Sequence, residues 1–251
     1  MPDETTAATA DDVRVLLGLA PGQDVLPGAG TKGGRTREAI LAAGVALACR
    51  TGLGGLSIGA LATEVGMSKS GMFAHFGSKE ALQLAVLEAA AREFAVEVVI
   101  PALSVPRGEP RVLALLDGWI SCGLHRRPGG CLFVKSSTEL DEQPGPVRDR
   151  LRDQHLELGR TIARIVAGGI REGHFRPDAD PERFAVDLHA VMLGFYHQHR
   201  LLGDPRAEER ARAAVESLLA AVRAVPTDVP TDVPTDAPAD APTGPLPEEG
   251  P

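Results

Sequence analysis

The run GMSKSGMFAHFGSKEAL, residues 66–82, sets Ser68, Lys69, Ser70, Gly71, Phe73, His75 and Lys79 within twelve positions. These side chains suit contact with nucleic acid. Hydroxyls bond phosphates or base edges, and a lysine reaches a phosphate or a guanine. A glycine lets backbone approach closely, and an aromatic ring packs on sugar or a thymine methyl. Upstream, Arg35 and Thr36 stand at the start of an apolar helical pattern, where a phosphate is favoured. Ser57 precedes a short helical run and is counted with the same set, although serine is also a preferred N-cap. The plain alternative is a solvated face, which any run of lysines can be.

The net charge of −8 argues against DNA if read over the whole chain, but the charge is unevenly placed. Residues 1–30 carry five acids and one base, and residues 225–251 carry six acids and no base. Residues 31–80 carry six bases and three acids, so the one clearly basic stretch contains the motif. Mean hydropathy is −0.02. No apolar run approaches the ~20 residues of a membrane span. The N-terminus lacks the basic and apolar regions of a signal peptide, so a cytoplasmic chain is expected. Cys49, Cys122 and Cys131 form no CxxC pair, and a disulfide framework is not expected.

The elements that must position the motif are helical. Ile40, Leu41, Gly44, Val45 and Ala48 recur at the helical period within residues 35–50, and TGLGG stops that helix. Ser57 caps a second helix, which Gly66 ends. Ser68 caps a third, residues 68–75, and Gly77-Ser78 starts a long fourth one reaching about Val99. Further helices are expected over 109–126, 131–140, 147–172, 181–202 and 205–223. No alternating Val/Ile/Thr run signals a strand. The predicted fold is all-α, about nine helices. It divides into a flexible arm (1–30), a helix-turn-helix domain (31–80), a helical domain (81–224) and a disordered Pro-rich acidic tail (225–251). Met72, Phe76 and Leu61 are read as core of the small domain.

Two short helices around a tight glycine turn, behind a third helix, place the second short helix in the major groove. From RTREAILAAG through LSIGALATEVGMSKSGMFAHFGSKEAL, the chain resembles the N-terminal domain of the TetR family of transcriptional regulators. The resemblance implies a homodimer on a pseudo-palindromic operator, with a small-molecule pocket in the middle helices. The family commonly carries Tyr where Phe73 stands, and its hydroxyl bonds a phosphate. That contact is lost here, and Phe73 only packs.

The larger domain offers less. Trp119, Cys122, Phe133, Met192, Phe195 and Tyr196 are candidates to line a ligand pocket, although any of them suits an ordinary core. The family implies dimerisation through the last two helices; Phe184, Leu188 and Val191 fall on the first of them at helical spacing, and Leu218 lies in the small-residue run ARAAVESLLAAV of the second. His197 and His199 are two apart and face differently, so no metal site is expected. Cys122 and Cys131 would sense oxidants only if a cation such as Lys135 activated them, and buried inert thiols are commoner. No nucleophile elbow, P-loop or paired-carboxylate motif appears, and neither an enzyme nor a cofactor is expected. The expected function is a ligand-responsive repressor. The competing one is a dimeric helical adaptor that acts through protein partners without reading DNA.

Overall fold

A computed structural model of the chain describes residues 32–126 and 128–224. The arm expected over 1–30 and the tail expected over 225–251 lie outside the described residues. Within them the chain forms nine helical rods. The first is α1 (Lys32–Gly55), interrupted near its end where Gly52 takes a φ of 81° that other residues rarely adopt. Next come α2 (Ile58–Glu64) and α3 (Lys69–Phe76). The fourth rod, α4, runs from Lys79–Phe94 through a widened turn, Ala95–Val99, into Ile100–Leu103. Pro101 has no N–H for the carbonyl four residues back, and the widened turn lies just ahead of it.

The larger half comprises α5 (Glu109–Ser121), α6 (Leu132–Glu139), α7 (Pro146–Arg171), α8 (Pro181–Tyr196) and α9 (Ala207–Val222). Widened turns extend α5 over Cys122–Arg126 and α8 over His197–Leu201. Proline stands in the first turn of α5, α7 and α8, where its missing N–H costs no helical bond. Asp180 caps α8, accepting from the N–H groups of Glu182 and Arg183 at 3.0 Å. The one β-type contact among the described residues is an isolated bridge between Phe175 and Arg223, which ties the α7–α8 loop to the end of α9. No helix among them is long and apolar enough to cross a membrane.

Two cores result. The first gathers Ile40, Leu41, Val45 and Ala48 of α1, Leu61 of α2, and Met72 and Phe76 of α3 on the early part of α4. The second is built from the end of α4 with α5, α7, α8 and α9. They meet on α4, where Ala90 belongs to one and Ala91 to the other. The first core also takes in Leu132, Leu140 and Leu151 from α6, the loop after it and α7. The packing therefore has no seam at residue 80, where the sequence suggests a domain boundary. A boundary read from motif length misses a helix that serves both halves.

The dimer-interface expectation needs correcting at two positions. Phe184 and Leu188 are buried inside the subunit's own second core and have no surface to offer a partner. Val191 and Leu218 are partly buried against the same core. The outward face of α8 carries Val186 and Leu193 instead. Helical spacing alone identifies an apolar stripe. It does not say which of two stripes faces inward.

Candidate nucleic-acid interface and inner cavity

The motif helix α3 has two unlike faces. Met72 and Phe76 are buried, which seats the helix on the small core. Ser68, Lys69, Ser70, Phe73 and His75 are exposed on its other side, with Phe73 retaining 55% of its surface. The turn into α3 passes through Gly66 at a φ of 67°. Ser68 caps the helix: its Oγ accepts the Gly71 N–H at 3.1 Å and lies 3.2 Å from Ser70 Oγ. Ser57 caps α2 in the same way, accepting from Ala60 N–H at 3.1 Å. Both serines are structural first, although each hydroxyl proton still has a donor role open to it. Arg35 and Thr36 are exposed at the start of α1. Arg37, which sequence reading passed over, lies 5.3 Å over the Phe76 ring and fixes the edge of this face. Arg50 is paired with Glu64 at 2.7 Å.

Lys79 has a task that the sequence does not reveal. Its Nζ donates to the Gly54 carbonyl at 2.7 Å, across the break that ends α1. Gln83 Nε2 donates to the Leu53 carbonyl at 2.6 Å. The N–H groups on the same break are held from the larger half. Glu139 of α6 accepts from Leu53 N–H at 2.8 Å and from Gly54 N–H at 2.6 Å. One turn earlier on α6, Lys135 Nζ donates to the carbonyls of Cys49 at 2.5 Å and Arg50 at 3.1 Å. A cation on C-terminal carbonyls and a carboxylate on free N–H groups are each the favourable sign. The approach is close on both sides. A Cβ on Gly129 would fall 2.0 Å from the Cys49 oxygen, and one on Gly52 would fall 2.7 Å from the Glu139 carboxylate. Helix α6 thus grips the end of α1.

The opposite side of α6 reaches an inner cavity. Cys131, Phe133 and Val134 line it, with Phe94 of α4, Trp119 of α5 and Leu158 of α7. Counted out to its mouth it holds about 480 Å3 of non-atom space, of which the centre of a water can sweep about 40 Å3. Trp119 stands edge-on to Phe94 at 5.9 Å and to His189 at 5.5 Å. Three polar residues also face in: Gln154 and His155 of α7 and His189 of α8. His155 Nδ1 lies 3.3 Å from His189 Nε2. Burial holds both imidazoles below their usual range. His189 is brought down to about 4, with the neighbouring His155 adding to the effect. Both polar atoms of the Gln154 side chain, Oε1 and Nε2, and the indole N–H of Trp119 are buried without a protein partner among the described residues.

Of the pocket residues expected from the sequence, Trp119 and Phe133 line this cavity. Cys122 lines a second one, with Phe133, Cys49 and Cys131. Met192, Phe195 and Tyr196 instead belong to the packed second core and line neither cavity. The Tyr196 hydroxyl donates to the Trp119 carbonyl at 3.4 Å. Cys131 is buried and its thiol is pushed up by desolvation, the opposite of a reactive thiolate, while the Lys135 ammonium is bonded to backbone. Gln154, His155 and Glu139 are not among the candidates the sequence offers, and Lys135 figures there only as a cation for the cysteines. A signal for Gln154 did exist. It interrupts the apolar stripe Leu151, Leu158, Ile162 and Ile165 along α7.

A short helix with a bare polar face, seated by a second short helix and a capped turn, defines a helix-turn-helix protein. Residues 40–86 match the family described as "Bacterial regulatory proteins, tetR family", and residues 108–215 match "Tetracyclin repressor-like, C-terminal domain". The chain belongs to the TetR family of transcriptional regulators. It is 29% identical to a TetR transcriptional regulator from Chloroflexus aurantiacus J-10-FL, with a TM-score of 0.71 over 77% of this chain and 99% of that one. It is 24% identical over 160 residues to the HTH-type transcriptional repressor ComR of Escherichia coli (strain K12), covering 63% of this chain and 76% of ComR. AibR, solved in complex with isovaleryl coenzyme A and operator DNA, shares the fold at a TM-score of 0.59 and 21% identity, over 72% of this chain and 96% of AibR.

Proposed function

We propose that the protein is a ligand-responsive repressor that binds a pseudo-palindromic operator as a homodimer and leaves it when a small molecule occupies the inner cavity. The carrying observation is α3: its apolar side is consumed by the core, and its outer side presents Lys69, Ser70, Phe73 and His75 with no packing duty. In this reading Lys69 reaches a phosphate or guanine, and Ser68 and Ser70 donate to phosphates. Gly71 admits close approach, Phe73 packs on sugar or a thymine methyl, and His75 meets the backbone. Arg35, Thr36 and Ser57 flank the same groove, and Lys79 has two of its three donors left for a phosphate. The exposed Val186 and Leu193 of α8, with the small Ala190 between them, form the face a second subunit would cover.

Helix α6 supplies the coupling. Phe133 and Val134 touch whatever fills the cavity, while Lys135 and Glu139 hold the end of α1. A ligand that binds better when α6 is shifted moves α1 and with it the separation of the two α3 helices. Such differential affinity, rather than binding alone, releases DNA. The test is selection of random duplexes by the full-length protein at physiological salt. The expected result is an enriched inverted repeat with half-sites about one helical turn or a multiple apart. A folded dimer that enriches no sequence would instead fit an adaptor acting through protein partners.

A further inference from the structure

The polar groups of the inner cavity specify what it takes. Gln154 is 6% exposed, and its amide oxygen and nitrogen both lack a protein partner. Trp119, 2% exposed, lines the same space and has a buried indole N–H without a partner among the described residues. His155 Nε2 is likewise buried and unpartnered on this cavity. Buried polar groups are nearly always paired, so such a set gathered on one cavity calls for a molecule that completes it. The rest of the wall is apolar, from Ala91, Phe94, Phe133, Val134 and Leu158. Among the described residues, no Lys, Arg, Asp or Glu lines it.

We propose that the cavity binds a small uncharged molecule, an aromatic ring or short aliphatic chain ending in a planar donor–acceptor group such as a carboxamide. This rests on the regulator reading above and deepens it by giving the effector a chemical class. The carboxamide pairs with Gln154 in both directions at once, its N–H to Oε1 and its carbonyl to Nε2. The Trp119 N–H is a further donor for the same carbonyl, which has two lone pairs. The apolar body lies among Phe94, Phe133 and Leu158. A carboxylate or an ammonium would lose its hydration with no counter-charge to replace it, because the wall offers none and both histidines are held neutral by burial. The free space is smaller than a ring fills, so the wall must give way to admit the body, and one ring or a short chain is the most it takes.

Trp119 is the chain's one tryptophan, so its emission reports on this cavity alone. The experiment titrates the full-length protein with benzamide, benzoate and benzylammonium, three matched probes differing in charge. Benzamide is expected to change Trp119 emission saturably, with each charged analogue at least tenfold weaker. Gln154→Leu is expected to weaken benzamide at least tenfold while melting like the parent, and Gln154→Met replaces it should that variant not fold. Equal binding of a charged analogue overturns the proposal, as does undiminished benzamide binding by the Gln154 variant. An emission that no probe alters also overturns it, since water would then be what completes Gln154. Operator binding by the same preparation separates the two layers. A protein that selects an operator but ignores benzamide keeps the regulator reading and loses this one. A protein that takes benzamide but selects no sequence does the reverse.

Discussion

Lys69 on α3 and Gln154 on α7 both carry polar atoms with no protein hydrogen bond among the described residues, yet the two are far from equivalent. Lys69 is exposed, and water completes its ammonium at no cost to folding. Gln154 is buried, and each of its unpaired atoms costs about 1–3 kcal/mol unless something enters the cavity to meet it. The outer face therefore carries its meaning through arrangement: a cap, a turn and a buried underside that hold several solvated groups in one row. The inner wall carries its meaning through deficit. A single buried amide there is more informative than a single surface lysine.

The largest expected effect separates core from surface on α8. Phe184→Ala should destabilise the subunit by about 3–5 kcal/mol, the usual cost of emptying a buried aromatic site. Val186→Asp, on the outward face where the residue is 65% exposed, should leave the subunit's own core intact while dissociating the proposed dimer, so that only the stability due to association is lost. Denaturant unfolding and solution mass check both. A Val186→Asp protein that stays dimeric would move the interface off this face.

The grip of α6 on α1 comes next. Glu139→Gln keeps the size of the side chain but removes the charge that two backbone N–H groups share. Ligand-driven release of DNA should weaken by roughly tenfold, about 1.4 kcal/mol of coupling, while cavity binding changes little. Polarisation of a labelled duplex, titrated with effector, reads the first quantity, and Trp119 emission reads the second. Loss of both together would make Glu139 a general stabiliser and not a coupling residue.

A smaller effect appears on acidification. His189 takes up its proton near pH 4 in the folded chain but near the ordinary histidine value, about 6.5, when unfolded. Between those values the unfolded chain binds more protons, so stability rises with pH through the window and is lost as pH falls from 6.5 towards 4. His155, also held down by burial, acts in the same direction. His189→Gln should flatten this slope by melting temperature relative to the parent, leaving the part due to carboxylates such as Glu109 in place.

What the sequence made legible follows from range. The caps at Ser57, Ser68 and Ser78, the glycine turns at Gly66 and Gly77, and the burial of Leu61, Met72 and Phe76 are settled within a few residues. Spacing alone was enough to find them. The grip of Lys135 and Glu139 joins positions about 85 residues apart, and no local pattern announces such a pair. Phe184 and Leu188 form a clean apolar stripe, but facing inward or outward is decided by α7 and α9, which flank α8. Tyr196 and Met192 have the composition of a pocket wall and the position of a core. Gln154 was visible only as an interruption of a stripe.

Whether α3 touches DNA is tested most directly by the salt dependence of operator affinity for the parent and for Lys69→Ala. Affinity for the selected duplex is measured at several salt concentrations by fluorescence polarisation. Removing one phosphate contact should weaken binding and reduce the slope of log K against log salt by about 0.9, with melting unchanged. Identical slopes and affinities for the two proteins would contradict a DNA-facing α3 at its one lysine.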